Sequence, residues 1–321
     1  MPPLARFRRS SSSRNRLPSN FPQREPGASV NVKTVSQTKF TRYVAIGDSQ
    51  TEGLWDGDDD VGLIGYADRL AATLAALNPG LMYANLAVRG IHVRDALNIQ
   101  LPRALAMAPD LITVCVGMND IIRPGRSFDR ALADLEQLYA GLAPVGATVL
   151  TTTFPDISRI LPAARLLGSR LHRMNAAITT AARRHGFSLV DAFGAPSLEE
   201  PDAWSADFIH ASTKGHTLFA TAAAEALSLP GSNHDWAVPT GDPTQPTAAA
   251  RAHTQLHWAR EVLIPWLWRI SRGRSSGDGR TPKRPRMQPV ATAPGPGSTS
   301  QGHSTYSGSG WSSRSSAEHP V

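Results

Sequence analysis

Ser49 follows Gly47-Asp48 directly behind a short apolar run, Tyr43-Val44-Ala45-Ile46, and precedes Thr51-Glu52-Gly53. A serine at the C-terminal end of a buried parallel strand sits where open α/β sheets bind their ligands. A glycine just before it lets the chain turn sharply there. Such a hydroxyl attacks an ester only if a base takes its proton and donors receive the developing oxyanion. His210, in Asp207-Phe208-Ile209-His210, is the candidate base, since neutral imidazole accepts a proton near neutral pH and can return it to a leaving group. Asp207 stands three residues earlier, close enough for its carboxylate to orient Nδ1 and stabilise the imidazolium. Candidate oxyanion donors are the backbone N–H of Ser49, that of Gly90 after Leu86-Ala87-Val88-Arg89, and the side-chain amide of Asn119 in Gly117-Met118-Asn119-Asp120. Taken singly, each has an ordinary alternative: Asp207 as a helix cap, His210 as a loop histidine, Gly90 shaping a turn, Asn119-Asp120 capping the next segment.

These residues must be brought together by the elements between them. Arg42–Ile46, Leu81–Leu86, Leu111–Val116, Thr148–Phe154 and Phe187–Val190 read as five apolar strands. Helical spacing marks Tyr66–Leu77, Val93–Met107, Phe128–Leu142, Ala163–Arg184 and Thr213–Leu227. Alternating strands and helices predict an α/β domain, a parallel sheet with helices on both faces. Ser49, Gly90 and Asn119 then all lie beyond strand C-termini, along one edge of that sheet.

In this order and spacing the four blocks resemble the SGNH (GDSL) hydrolase family, over about Tyr43 to Leu227. The resemblance implies a flavodoxin-like three-layer α/β/α sandwich with a parallel sheet of about five strands. It implies a serine esterase acting on carboxylic esters through an acyl-enzyme, with Ser49, Asp207 and His210 catalytic and Ser49, Gly90 and Asn119 forming the oxyanion hole. It selects His210 over His216, because the family's DxxH motif continues much like Ala211-Ser212-Thr213-Lys214-Gly215-His216. A carbohydrate O-deacetylase or a lysophospholipase would use the same scaffold. No metal and no organic cofactor is required. Gln50 departs from the leucine of the family's GDSL block and bears on substrate preference more than on catalysis.

Other motifs do not compete. Gly273-Arg274-Ser275-Ser276-Gly277 has the G-x-S-x-G spacing of a nucleophile elbow but lacks the preceding strand and following helix. The acidic run Asp56–Asp60 lacks the ligand spacing of a calcium loop and reads as a solvated loop, with Trp55 and Asp56 as candidates for a pocket rim. Phosphate-binding glycine loops and the HExxH zinc motif do not occur.

The 321 residues carry a formal net charge of +7, and its distribution matters more than its sum. Residues 41–230 hold 15 Lys/Arg against 20 Asp/Glu, so the excess lies in the flanks. A small-molecule or lipid ester is therefore the expected partner, and specific nucleic-acid binding is not; a non-catalytic RNA- or membrane-binding protein acting through basic tails is the rival of another class. The expected organisation is a disordered basic leader over 1–40, the hydrolase domain over 41–230, an extension over 231–272 and a disordered tail over 273–321. The extension contains an amphipathic segment with Trp258, Trp266 and Trp268. It reads either as a helix packing back on the domain or as an interfacial helix making peripheral membrane contact. Cys115, the single cysteine, lies in an apolar strand and reads as a small buried hydrophobe. With no disulfide and no apolar run behind Arg8-Arg9 that would make a signal, the expected location is cytoplasmic.

Overall fold

Short apolar runs, each followed by a helical pattern, bury both faces of a strand only by pairing in parallel beneath crossover helices. The computed structural model describes residues 40–58, 62–123, 127–241 and 275–291, with scattered positions between 256 and 272. In chain order it contains β1 (Arg42–Gly47), the single turn α1 (Ser49–Glu52), a small hairpin of β2 (Gly57–Asp58) and β3 (Gly62–Leu63), α2 (Tyr66–Leu77) and β4 (Met82–Asn85). Next, α3 (Val93–Asp95) passes through a π-helical turn (Ala96–Gln100) into α4 (Leu101–Leu105), followed by β5 (Leu111–Cys115), α5 (Met118–Ile122) and α6 (Phe128–Leu142). After β6 (Thr148–Thr152) come α7 (Gly168–His185), β7 (Ser188–Val190), α8 (Thr213–Ala226) and β8 (Arg284–Pro289).

The main sheet runs β7-β6-β5-β1-β4-β8. Its first five members are parallel, and β8 joins β4 antiparallel. Numbered among themselves, the parallel strands have the order 2-1-3-4-5, the flavodoxin-like doubly wound order. Right-handed crossovers then divide the helices. The step from β1 to β4 runs one way along the sheet and the steps from β4 to β5, β6 and β7 run the other, so α2 covers one face and α3, α4, α6 and α7 the opposite one. Packing agrees: α2 lies against α8, and α6 against α7 and α3. The three-layer sandwich expected from the residues is the fold observed.

Burial explains the strength of the sequence signal. Val44, Ala45, Ile46, Leu111, Ile112 and Val114 are inaccessible or nearly so, and each such aliphatic side chain contributes about 1.5–3 kcal/mol relative to exposure. Tyr43 stacks on Tyr83 with ring centroids 4.9 Å apart, and its hydroxyl bonds Thr113 Oγ1 at 2.8 Å. Cys115 is buried in β5, and burial pushes its thiol well above the ordinary range.

Three boundaries differ from expectation. The domain does not stop at 230: Trp236 and Ala237 pack into the core, and the Trp236 indole donates to Glu225. The helix read over 163–184 begins at Gly168, because Pro162–Leu167 is a 3-10 segment whose Leu166 is 90% exposed. The assignment of 273–321 to a disordered tail fails within 275–291, since Arg284–Pro289 is the sixth strand of the sheet. Its arginine- and proline-rich composition hid it. An edge strand needs hydrogen-bonding partners on one side only, so it tolerates proline. The leader over 1–40 lies outside the described residues except for Phe40, as does most of the proposed amphipathic helix. No helix among the described residues is long and apolar enough to cross a membrane.

Candidate active site

The strand ends meet along one edge, and hydrogen bonds between the loops fix their separation. At Gly47, φ is +152°, and a Cβ would collide with the Cys115 carbonyl and the Thr51 hydroxyl, so only glycine fits. Gln100, presented by the π-helical turn, holds this bend: its Oε1 accepts from Gly47 N at 2.8 Å, and its Nε2 donates to Gly47 O and Leu86 O at 2.9 and 2.8 Å. Asp48 then caps α1 by accepting from Gln50 N, and Ser49 begins the turn.

Ser49 Oγ lies 2.8 Å from His210 Nε2, and His210 Nδ1 lies 2.6 Å from Asp207 Oδ2. The Asp207 carboxylate is saturated by its own loop: Oδ1 accepts from Ser205 Oγ, Ile209 N and His210 N at 2.7, 2.9 and 2.9 Å. Phe208 adopts φ +54°, a left-handed conformation that is costly for a bulky residue. It lets the chain fold back within three residues so that Asp207 faces the imidazole. The neighbouring Trp204–Ala211 bridge closes the base of this loop.

Gln50 joins the two halves. Its Nε2 donates to Ile209 O at 2.8 Å and its Oε1 accepts from Ala211 N at 3.2 Å, so one amide grips the backbone on both sides of His210. The sequence singled out this position for substrate preference, whereas the structure shows a tether between α1 and the histidine loop. A leucine could make neither bond.

Gly90 and Asn119 stand on adjoining loops. Asn119 Nδ2 donates to Ile91 O at 2.9 Å and lies 3.4 Å from Asp48 Oδ2, which links the loops after β4, β5 and β1. Arg89 is locked to α1 by a buried ion pair: Glu52 Oε2 accepts from Arg89 N and Nε at 2.7 and 3.0 Å, and Oε1 from Nη2 at 3.0 Å. Asp120 supports the neighbouring loop, accepting from Val93 N at 3.0 Å and bonding His92 Nδ1 at 3.1 Å. Arg123 donates to His92 Nε2, so Nδ1 carries the proton toward Asp120. Glu52, Arg89, His92 and Gln100 carried no motif in the sequence; they matter because they satisfy particular backbone groups.

Electrostatics separates two buried carboxylates. Burial disfavours the charge on Asp207, but attraction to His210 and the hydrogen bonds from His210 and Ile209 outweigh it and hold the carboxyl far below the usual range. Asp48 lacks that compensation: burial, only partly offset by the Gln50 N–H and the charge of His210, pushes it up to about 7. Burial would depress His210, yet the charge and hydrogen bond of Asp207 raise it above the ordinary imidazole range. His216 is inaccessible, accepts from Tyr66 N at 3.3 Å and points Nε2 at Leu54 O; burial lowers it to about 4, so it stays neutral and packs. Asp56 is not a rim residue: it turns inward to pair with Arg69 and to accept from Thr213 Oγ1.

An apolar cavity of about 240 Å³ opens between α5 and residues 157–167, lined by Met118, Ile122, Ile157, Leu161, Leu171 and Ile209 among others. Met118 immediately precedes Asn119 and Ile209 immediately precedes His210, so the cavity adjoins the polar cluster.

Comparison with known families matches residues 45–218 to the GDSL-like lipase/acylhydrolase model. Comparison with curated proteins returned no sequence match. Among solved structures, LAE5, described as an alpha/beta hydrolase enzyme from the metagenome of Lake Arreo in Spain, is similar at 26% identity and TM-score 0.50, covering 59% of this chain and 95% of its own. A catalytic mutant of Axe2, an acetylxylan esterase from Geobacillus stearothermophilus, is similar in fold at 20% identity and TM-score 0.50, covering 60% of this chain and 97% of its own.

Two predictions follow from the hydrogen bonds around His210. In an NMR titration of the imidazoles, His210 remains protonated to higher pH than an ordinary histidine. In Asp207→Asn its midpoint falls, because burial then acts unopposed; an unmoved midpoint would show that Asp207 does not set it. Gln50→Leu removes two bonds across the loop and lowers stability to urea by about 1–3 kcal/mol, and a variant as stable as the parent would show the tether to be idle.

Proposed function

The chain belongs to the GDSL-like lipase/acylhydrolase family, and from that premise we propose that it is a serine esterase working through an acyl-enzyme intermediate. The observation that carries this reading is the unbroken line from Ser49 Oγ to His210 Nε2 and from His210 Nδ1 to Asp207 Oδ2, at 2.8 and 2.6 Å. His210 takes the hydroxyl proton as Ser49 attacks the ester carbonyl, and the ionised Asp207 stabilises the imidazolium. The N–H groups of Ser49 and Gly90 and the Asn119 amide receive the oxyanion of the tetrahedral intermediate. His210 then protonates the departing alcohol. In the second half it takes a proton from water as the water attacks the acyl carbon, and returns that proton to Ser49 Oγ as the acyl bond breaks and the acid leaves.

The apolar cavity supports a narrower substrate class. At about 240 Å³ it falls just below the roughly 300 Å³ at which pockets for drug-sized ligands begin. It has room for one acyl arm rather than a whole lipid, and its lining rewards methylene groups. We therefore favour short to medium acyl esters over acetylated carbohydrate. The acetylxylan esterases among the similar structures attest the scaffold and say nothing of this pocket.

A fluorophosphonate probe tests the chemistry: it labels the protein at Ser49, and Ser49→Ala abolishes labelling and lowers kcat on p-nitrophenyl esters by on the order of 10⁶-fold. Turnover retained in that variant would sink the assignment. For the acyl preference, kcat/KM rises from acetyl to hexanoyl esters by about fourfold per added methylene, the equivalent of about 0.8 kcal/mol of burial. Leu161→Trp, which fills the cavity, removes that rise while sparing the acetyl ester. A maximum at acetyl in the parent would favour the O-deacetylase.

A further inference from the structure

Residues 275–291 lie outside the segment that matches the family, yet they touch its oxyanion loop. Gly277 packs so closely on the Arg89 carbonyl that a Cβ there would collide with it. Ser275 Oγ donates to Gly90 O at 3.2 Å, and a Cβ on Gly90 would stand 2.5 and 2.6 Å from the hydroxyls of Ser275 and Ser276. The two peptide units flanking Gly90 are therefore both contacted from the same segment. No described peptide is cis. In a trans peptide the carbonyl and the N–H point to opposite sides. A segment seated on the Arg89 carbonyl thus leaves the Gly90 N–H directed away from itself.

The segment is anchored, not draped. Its strand β8 pairs with β4 at Met82↔Pro289, Tyr83↔Gln288 and Asn85↔Arg284, and Val290 N donates to Leu81 O at 3.1 Å. Lys283 enters the domain and donates to Asp68 Oδ2 at 2.5 Å and Leu63 O at 2.9 Å. Asp68 itself caps α2 through Gly65 N and accepts from the Tyr83 hydroxyl. A surface tail would not spend a largely buried lysine on such a joint, and the joint lies just before the strand that fixes the register.

We propose that residues 275–291 are a strap that positions the oxyanion loop, pressing the Arg89–Gly90 peptide from its carbonyl side while Glu52 holds the same peptide's neighbour, Arg89 N, from the nucleophile turn. The inference rests on the esterase reading, in which Gly90 N–H is an oxyanion donor. Gly277 and Ser275 are positioning residues, and Lys283 is their anchor. The serine of the G-x-S-x-G match is thus a contact to the loop rather than a nucleophile. Loss of the strap costs transition-state stabilisation and leaves ground-state binding in place, since the acyl cavity is built on the far side of β1.

The test is steady-state kinetics on full-length Gly277→Ala, Ser275→Ala, Lys283→Met and Lys283→Arg, with inhibition by an alkyl boronic acid as the tetrahedral analogue. Gly277→Ala lowers kcat about 10- to 100-fold, short of the loss of a whole oxyanion donor. KM stays within about twofold, and the boronate weakens by the same factor as kcat. Ser275→Ala, which removes the bond to Gly90 O and the one that Oγ accepts from Gly277 N within the turn and leaves the β8 pairing intact, lowers kcat about threefold in the same pattern. Lys283→Met behaves like Gly277→Ala and Lys283→Arg restores most of the rate. Unchanged kcat in Gly277→Ala and Ser275→Ala, or losses confined to KM with boronate affinity unmoved, overturns the strap. Fluorophosphonate labelling of Ser49 in the parent stands in either case, so failure of the strap and failure of the esterase reading are told apart.

Discussion

A hydroxyl and an imidazole separated by 161 residues of sequence stand 2.8 Å apart, and most of the polar structure of this domain is organised around keeping them so. A parallel sheet supplies the coarse part of that alignment by delivering every strand's C-terminal end to one edge. It does not supply the last ångström, because loops at an edge have no ladder of their own. Here that precision comes from side-chain amides and carboxylates that bind backbone: Gln100 on Gly47, Gln50 on both flanks of His210, Glu52 on Arg89, Asp207 on its own turn. Each such bond contributes modestly to stability, while leaving its buried partner unpaired would cost more. The geometry is therefore held by the penalty for losing it.

The same low-dielectric setting sorts the acids near the imidazole. Asp48 and Asp207 are both buried and both act on His210, yet their ionisation is driven apart because Asp207 accepts bonds of 2.6–2.9 Å, one of them from the imidazole itself, while Asp48 accepts longer ones from Gln50 N and Asn119 Nδ2 at 3.3 and 3.4 Å. A single fully ionised carboxylate beside Nδ1 is what an orienting role needs. A second anion at equal strength would raise the imidazole further and leave less of it in the neutral form that can accept a proton. The elevated Asp48 thus fits its place as a cap on α1.

Much of this was legible from residue order. Tyr66–Leu77 and Phe128–Leu142 were read to the residue, since amphipathic periodicity reports a buried face directly. Ser49 follows a recognisable strand signal, whereas His210 is selected by the family resemblance, since an isolated DxxH reads equally as an ordinary loop histidine. Gln50, Glu52, Arg89 and Gln100 were not legible, because nothing local distinguishes a glutamine that grips a distant backbone from one that faces water. Nor was β8: its Arg-Pro-Arg-Met-Gln-Pro run has no alternation and no propensity for a strand, and its place is set by pairing with β4, which is distant in sequence.

Ser49 sits at β1, where the direction of the chain through the sheet reverses, and this divides the candidate site into halves with separate origins. On one side, the loops after β5 and β6 bring Met118, Ile122, Ile157 and Leu161 to the apolar cavity. On the other, the loop after β4 brings Gly90, with β8 and its preceding turn against it. In the proposed mechanism the first half meets the acyl chain and the second meets the charge that develops on the carbonyl. The halves are joined by α5, whose Asn119 and Asp120 bond Ile91 O and Val93 N of the loop after β4 while its Met118 and Ile122 line the cavity, so substituting the lining residues removes none of the bonds to the Gly90 loop. Acyl preference can therefore vary among proteins of this fold without loss of the chemistry, which is why so general a scaffold leaves its substrate to the loops.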